Sequence, residues 1–202
     1  MLRIPAATRG RVMILGSALL LSLGLLATLM TRSWQKAQDF YSFRGTNIRG
    51  KEVSLEKYRG SASLVVNVAS DCGYTEDHYK ALQGLQRDFG PRHFNVLAFP
   101  CNQFGSQEPG TNAQIESFAR RVHGATFPMF AKTTVFGSKT EPAFKFLVDS
   151  TGKEPRWNFW KYLVDPRGKV VDGWGPETSV DEIRPHVIQL IREIILSRRD
   201  EL

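Results

Sequence analysis

Only two of the 202 residues are cysteine, Cys72 and Cys101, so the chain is not a small scaffold stapled by disulfides. No Cys-x-x-Cys is present, and that absence argues against a direct thiol–disulfide oxidoreductase. The four histidines, His78, His93, His123 and His186, stand at no ligand spacing from one another or from a cysteine pair, so no metal cofactor is expected. Asn-x-Ser/Thr is also missing, which excludes an N-glycan. There is no internal repeat and no low-complexity tract. Lys and Arg outnumber Asp and Glu by 27 to 20, but Arg3, Arg9 and Arg11 account for three of the positives and no basic helix follows, so no nucleic-acid partner is expected. What is present, 42% hydrophobic and 11% aromatic residues, fits one globular domain with additions.

The first addition is a run without charge. Residues 12–30 span roughly 28 Å as a helix at about 1.5 Å per residue, close to the bilayer core of about 30 Å. A cleavable signal peptide is the competing reading, but the run exceeds the usual apolar core of such a peptide, roughly 7 to 15 residues. The best cleavage site after it, Thr31-Arg32-Ser33, also has Arg in its middle. Arg3, Arg9 and Arg11 precede the span and Arg32 and Lys36 follow it, so the positive-inside rule leaves the N-terminus in the cytosol. The chain closes on Arg199-Asp200-Glu201-Leu202, a variant of the KDEL-type retention signal read by a lumenal receptor. The expected organisation is a cytosolic tail at 1–11, a single transmembrane signal-anchor at 12–30, a stalk at 31–38, a folded domain at 39–197 and a retention tail at 198–202. The expected location is the endoplasmic reticulum membrane, with the domain lumenal.

Within that domain, residues 40–55 alternate around Asn47 and Gly50 as a hairpin would. Residues 64–68 and 94–99 are short apolar runs suited to strands buried on both faces, with a helix at 74–89 between them. Strand, helix, strand makes a right-handed unit with parallel strands. Helices follow at 112–123 and 141–148, with an extended piece at 127–135 between them. Residues 160–164 and 169–172 flank Asp165-Pro166-Arg167-Gly168 as an antiparallel hairpin. A final helix places Ile183, Val187, Leu190, Ile191, Ile194 and Ile195 on one core-facing stripe. The expected class is an α/β sandwich, a central mixed sheet with flanking helices, preceded by one N-terminal transmembrane helix.

Cys72 falls between the first buried strand and its helix, where free N–H groups and the helix dipole stabilise a thiolate. Cys101, Asn102 and Gln103 leave the parallel neighbouring strand at the same sheet edge, and Trp157 and Asn158 enter an antiparallel strand there. A nucleophilic cysteine brought from a pKa of about 8.5 to roughly 6.5 needs about 2.7 kcal/mol of preferential anion stabilisation. Two charge-assisted hydrogen bonds, at roughly 1.5 to 3 kcal/mol each, supply it. Gln103 and Asn158 offer amide donors and Trp157 an indole donor, while the carboxylate of Asp71 works against the anion.

Three stretches, Asn67-Val68-Ala69-Ser70-Asp71-Cys72-Gly73, Phe99-Pro100-Cys101-Asn102-Gln103-Phe104-Gly105 with Gln107-Glu108-Pro109-Gly110, and Trp157-Asn158-Phe159, resemble the glutathione peroxidases in this order and spacing. The resemblance runs from about residue 40 to 195. It implies a thioredoxin-like fold and a catalytic tetrad that carries over as Cys72, Gln103, Trp157 and Asn158. It also implies a peroxide substrate and no bound cofactor, the co-substrate being a thiol such as glutathione or a protein dithiol. Cysteine stands at 72 where the best-known members carry selenocysteine, which implies lower reactivity. The stretch 149–157 lacks the insertion that tetrameric members use, which implies a monomer with an open site. A protein disulfide isomerase-type partner could then reach Cys72. Cys101 is the one candidate resolving cysteine the chain offers, and an inert packed thiol is its other reading. Against the peroxidase stand two rivals: the direct oxidoreductase, and a membrane adaptor or redox sensor with a vestigial site.

Overall fold

The computed structural model describes residues 38–200. The anchor read at 12–30, most of the stalk and the last two residues of the retention sequence lie outside the described residues. Among those described, no helix is long and apolar enough to cross a membrane.

A 3-10 turn at Phe40–Ser42 leads into the small hairpin of β1 (Arg44–Thr46) and β2 (Glu52–Ser54). A second 3-10 turn at Leu55–Tyr58 delivers the chain to β3 (Ala62–Val68). Then follow α1 (Thr75–Phe89), β4 (Phe94–Pro100), α2 (Asn112–Arg121), α3 (Pro142–Thr151), β5 (Lys161–Val164), β6 (Val170–Trp174) and α4 (Val180–Asp200). The main sheet runs β4-β3-β5-β6; β3 and β4 are parallel, while β5 pairs antiparallel with both β3 and β6. The parallel unit and the hairpin match the expectation.

Every residue of β3 and β4 is buried, as befits mostly apolar strands covered on both faces, with Ser63, Asn67 and Asn95 as the polar exceptions. Alternation sorts their side chains into two layers. Leu64, Val66 and Val68 pack with Leu82 and Leu85 of α1 and with Ile183 and Val187 of α4. Val65, Leu97 and Phe99 pack on the other side with Phe144 and Leu147 of α3 and with Phe40 and Leu55 of the two 3-10 turns. Each such aliphatic or aromatic side chain withdrawn from water stabilises the fold by about 1.5 to 3 kcal/mol.

Some expectations shift. The stripe of α4 buries Ile183, Val187, Leu190, Ile191 and Ile194, but Ile195 is 43% exposed, because the next residue after Ile194 turns about 100° away from the core. The helix continues through the residues read as the start of a tail, and Arg198 donates to the Gly60 carbonyl at 3.3 Å. The helix expected at 141–148 runs to Thr151, ending at Gly152 in the left-handed conformation. The piece at 127–135 forms no strand and makes two isolated bridges, Asn47 with Phe130 and Ala98 with Met129.

Candidate active site

Register fixes the edge at which the site assembles. Val68 pairs with Pro100 at the ends of the two parallel strands, and the Cys101 N–H donates to the Val68 carbonyl at 3.0 Å. Because β5 is antiparallel, its preceding segment starts at that same edge. Asn67 of β3 anchors it: its Nδ2 donates to the Trp157 carbonyl at 3.1 Å, and its Oδ1 accepts from the Trp160 N–H at 2.9 Å.

Cys72 sits in the turn between β3 and α1. Its N–H donates to Thr75 Oγ1 at 3.2 Å and its carbonyl accepts from the Thr75 N–H at 3.0 Å, while the Thr75 hydroxyl donates to the Ala69 carbonyl. The residue is buried, 8% exposed, and packs in the layer of Val68 and Ala69, while Tyr74 and Trp157 are each 39% exposed.

The structure separates the two glutamines. Gln103 turns away: its Oε1 accepts from the N–H groups of Val135 at 2.6 Å and Phe136 at 3.4 Å, and its Nε2 donates to the Phe136 carbonyl at 3.0 Å. It pins the loop before α3 and is no donor to Cys72, which corrects the reading from sequence. The physical reason is a tight turn, in which Gly105 and Ser106 take φ values of 62° and 53° and the Gln107 N–H donates to the Phe104 carbonyl. That turn carries Gln107 to the site instead. Its carbonyl accepts from the Asp71 N–H at 3.0 Å, and its Oε1 accepts from Asn158 Nδ2 at 2.8 Å. With Oε1 so occupied, Nε2 is the end of the amide left to donate. In sequence, Gly105 marks a turn but not which of the two glutamines the turn carries to the site.

Asn158 is fully buried, and its Nδ2 donates to Gln107 Oε1 at 2.8 Å and to the Phe104 carbonyl at 3.4 Å, so the amide donor expected from sequence is committed within the site. Trp157 lies across the rim, its ring 6.2 Å from that of Phe104. Three of the four residues carried over, Cys72, Trp157 and Asn158, therefore meet at one edge, with Gln107 as the fourth.

Glu108, missed in the sequence, lies beneath. It is fully buried and accepts from Ser70 Oγ at 2.6 Å, two residues before Cys72, while its N–H donates to Asn102 Oδ1 at 2.8 Å. Burial pushes its carboxyl from the ordinary 4.5 up to about 7. Cys101 occupies the opposite layer: fully buried among Phe99, Phe104 and Val135, it donates to Gln103 Oε1 at 3.5 Å, and burial raises its thiol pKa. Both cysteines are free. A disulfide between them would require one sulfur to leave its layer and pass the sheet edge.

Residues 40–148 match the family model described as glutathione peroxidase. The chain is 64% identical over 167 residues to glutathione peroxidase 7 of Bos taurus, covering 83% of this chain and 90% of that one. It is 52% identical over 198 residues to probable glutathione peroxidase 8-B of Xenopus laevis, covering 98% and 95%. Among solved structures, that of T. cruzi GPX1 superposes with a TM-score of 0.63 at 32% identity, covering 76% of this chain and 97% of that one. Together with a site built at the ends of β3 and β4, these likenesses settle the affiliation: the chain belongs to the glutathione peroxidase family and is a peroxidase of the oxidoreductase class on a thioredoxin-like fold.

Proposed function

We propose that Cys72 is the peroxidatic residue, assisted by Gln107, Asn158 and Trp157. The observation that supports this best is the lacing of Asp71 to Gln107 and of Gln107 to Asn158, which fixes two amides to the segment that carries Cys72. The Cys72 thiolate attacks one oxygen of the peroxide; the S–O bond forms as the O–O bond breaks, and the departing alkoxide or hydroxide takes a proton. Cys72 is left as a sulfenic acid. A first thiol displaces water to give a mixed disulfide, and a second thiol releases reduced Cys72 and a disulfide. The balance is one peroxide and two thiols to one alcohol or water, one disulfide and one further water.

The reductant is external in this reading, since Cys101 is sealed in the other layer. Glutathione or a disulfide isomerase-type protein dithiol would serve as that reductant for Cys72, which keeps a small exposure of 8%. The uncharged run at 12–30 and the Arg-Asp-Glu-Leu terminus support placement of this chemistry in the endoplasmic reticulum lumen, with the N-terminus cytosolic, and recognition by a KDEL-type receptor. The short stretch 149–157 supports a monomer.

The test is rapid mixing of the reduced full chain with hydrogen peroxide, quenching with an alkylating agent under denaturing conditions and counting free Cys72 and Cys101 by mass spectrometry. Cys72 should be consumed in a second-order phase faster than free cysteine at the same pH, with Cys101 spared. Cys72→Ser should abolish peroxide turnover and Cys101→Ala should retain the first step. Consumption of Cys101 at the same rate as Cys72, or no fast phase at all, refutes the assignment.

A further inference from the structure

Lys161 opens β5 and is fully buried, a placement rare for an ammonium group. Its partners are all neutral. Its three N–H donors meet the Phe159 carbonyl at 2.9 Å, the Gly175 carbonyl at 2.8 Å and His78 Nε2 at 3.2 Å. His78 is held as an acceptor, because its Nδ1 lies 3.0 Å from the Tyr74 carbonyl and must carry the ring hydrogen, leaving the Nε2 lone pair for Lys161. Burial lowers His78 to about 4, with the charge of Lys161 adding to it, so the ring is neutral at physiological pH. Burial also lowers Lys161 from 10.5 to about 8, which leaves it charged there.

The first of those carbonyls belongs to an unusual residue. Phe159 has a φ of 62°, a left-handed conformation that a bulky aromatic adopts only when its surroundings impose it. Both ends of that residue are held: its N–H donates to the Asn67 carbonyl at 2.7 Å, and its carbonyl is the one taken by Lys161. Its ring is fully buried and packs 4.9 Å from that of His78. The kink at Phe159 sits directly after Trp157 and Asn158, and His78 stands on α1, the helix that begins three residues after Cys72.

We propose that Lys161 is a positioning residue of the peroxidase site: its buried ammonium locks the left-handed Phe159 and ties it through His78 to the helix behind Cys72, so that Asn158 and Trp157 stay aimed at the reacting sulfur. This inference rests on the peroxidatic reading of Cys72. Lys161 touches neither substrate nor sulfur, and its effect on rate passes through the backbone of Phe159. A misplacement of about 1 Å in such a frame can lower a rate by roughly a hundredfold.

The experiment compares the full chain with Lys161→Met, which keeps an unbranched apolar stem and removes all three donors, and with Lys161→Gln, whose amide can still serve one carbonyl. Two rates are read on each: loss of the Cys72 thiol to hydrogen peroxide, and native alkylation of Cys72 and Cys101 by iodoacetamide. Lys161→Met should slow the peroxide reaction at least tenfold, by a larger factor than it slows Cys72 alkylation, while Cys101 stays protected. Lys161→Gln should fall between the two chains, and it carries the test should the Met variant not fold. Peroxide rates equal to wild type in the folded variants overturn the proposal. So does unmasking of Cys101 in step with the loss of rate, because that marks general loosening and no aimed effect. A wild-type chain without a fast Cys72 phase overturns the peroxidatic reading itself, and it is told apart because no substitution is involved.

Discussion

Exchanging each of the two glutamines for alanine separates site chemistry from scaffold in a single experiment. Gln107 has its Oε1 committed to Asn158 and its Nε2 free to donate to the charge that develops on sulfur and on the departing oxygen. A hydrogen bond to a charged group contributes about 1.5 to 3 kcal/mol, and one realised in the transition state converts to roughly a ten- to hundredfold loss of rate in Gln107→Ala. The fold should lose about 1 to 2 kcal/mol, because the fully buried Asn158 keeps only its longer Nδ2 bond to the Phe104 carbonyl at 3.4 Å, while the backbone bond from Asp71 survives. Gln103→Ala should do the opposite. It strips partners from the N–H groups of Val135 and Phe136 and from the Phe136 carbonyl, with Val135 fully buried, a cost of about 2 to 3 kcal/mol in stability. For a domain of this size that is a fall of roughly 5 to 10 °C in Tm, with the peroxide rate of the folded fraction within about threefold of wild type. Rapid-quench measurement of Cys72 oxidation and a thermal melt give both numbers on each variant. A Gln103→Ala chain that melts normally and reacts slowly, beside a Gln107→Ala chain that reacts normally, would refute the assignment of Gln107 and restore the reading from sequence.

Two further outcomes follow from buried charge and from the terminal segments. Glu108 holds its proton to about pH 7 when folded and releases it near 4.5 when unfolded, so the folded state binds more protons across that window and stability falls as pH rises through it. Urea melts of the wild type should lose up to a few kcal/mol between pH 4.5 and 7, whereas Glu108→Gln, still able to accept from Ser70, should show a flatter profile; identical slopes would remove Glu108 as the cause. For topology, microsomes bearing the full chain should protect residues 39–202 from added protease until the membrane is opened, while an epitope at Met1 is cleaved outright. Cleavage of the domain in sealed microsomes would reverse the proposed orientation.

The parallel pair β3 and β4 is legible because strands covered on both faces are mostly apolar, and runs such as Leu64-Val65-Val66 have few other homes. From that pair and the hairpin of β5 and β6, the edge where Cys72, Trp157 and Asn158 meet follows by topology. What topology does not supply is the direction of a side chain in a loop. Gln103 stands four residues nearer the strand end than Gln107, yet the reversal at Gly105 and Ser106 gives the place beside Asn158 to Gln107. The layer of each cysteine was open for the same reason: two strands ending at one edge say nothing of which face a following residue takes, and the parity that puts Cys72 with Val68 and Cys101 with Phe99 appears only once the register is known. Lys161 and Glu108 were invisible for a different reason. A charged residue in sequence reads as a surface residue, and each becomes tolerable inside only through acceptors or donors brought from distant segments: His78 and Gly175 for Lys161, Ser70 for Glu108. Both buried groups attach to the backbone beside Cys72 or Asn158. The residues that sequence hides best are thus the ones that tie the separate segments of the site to one another.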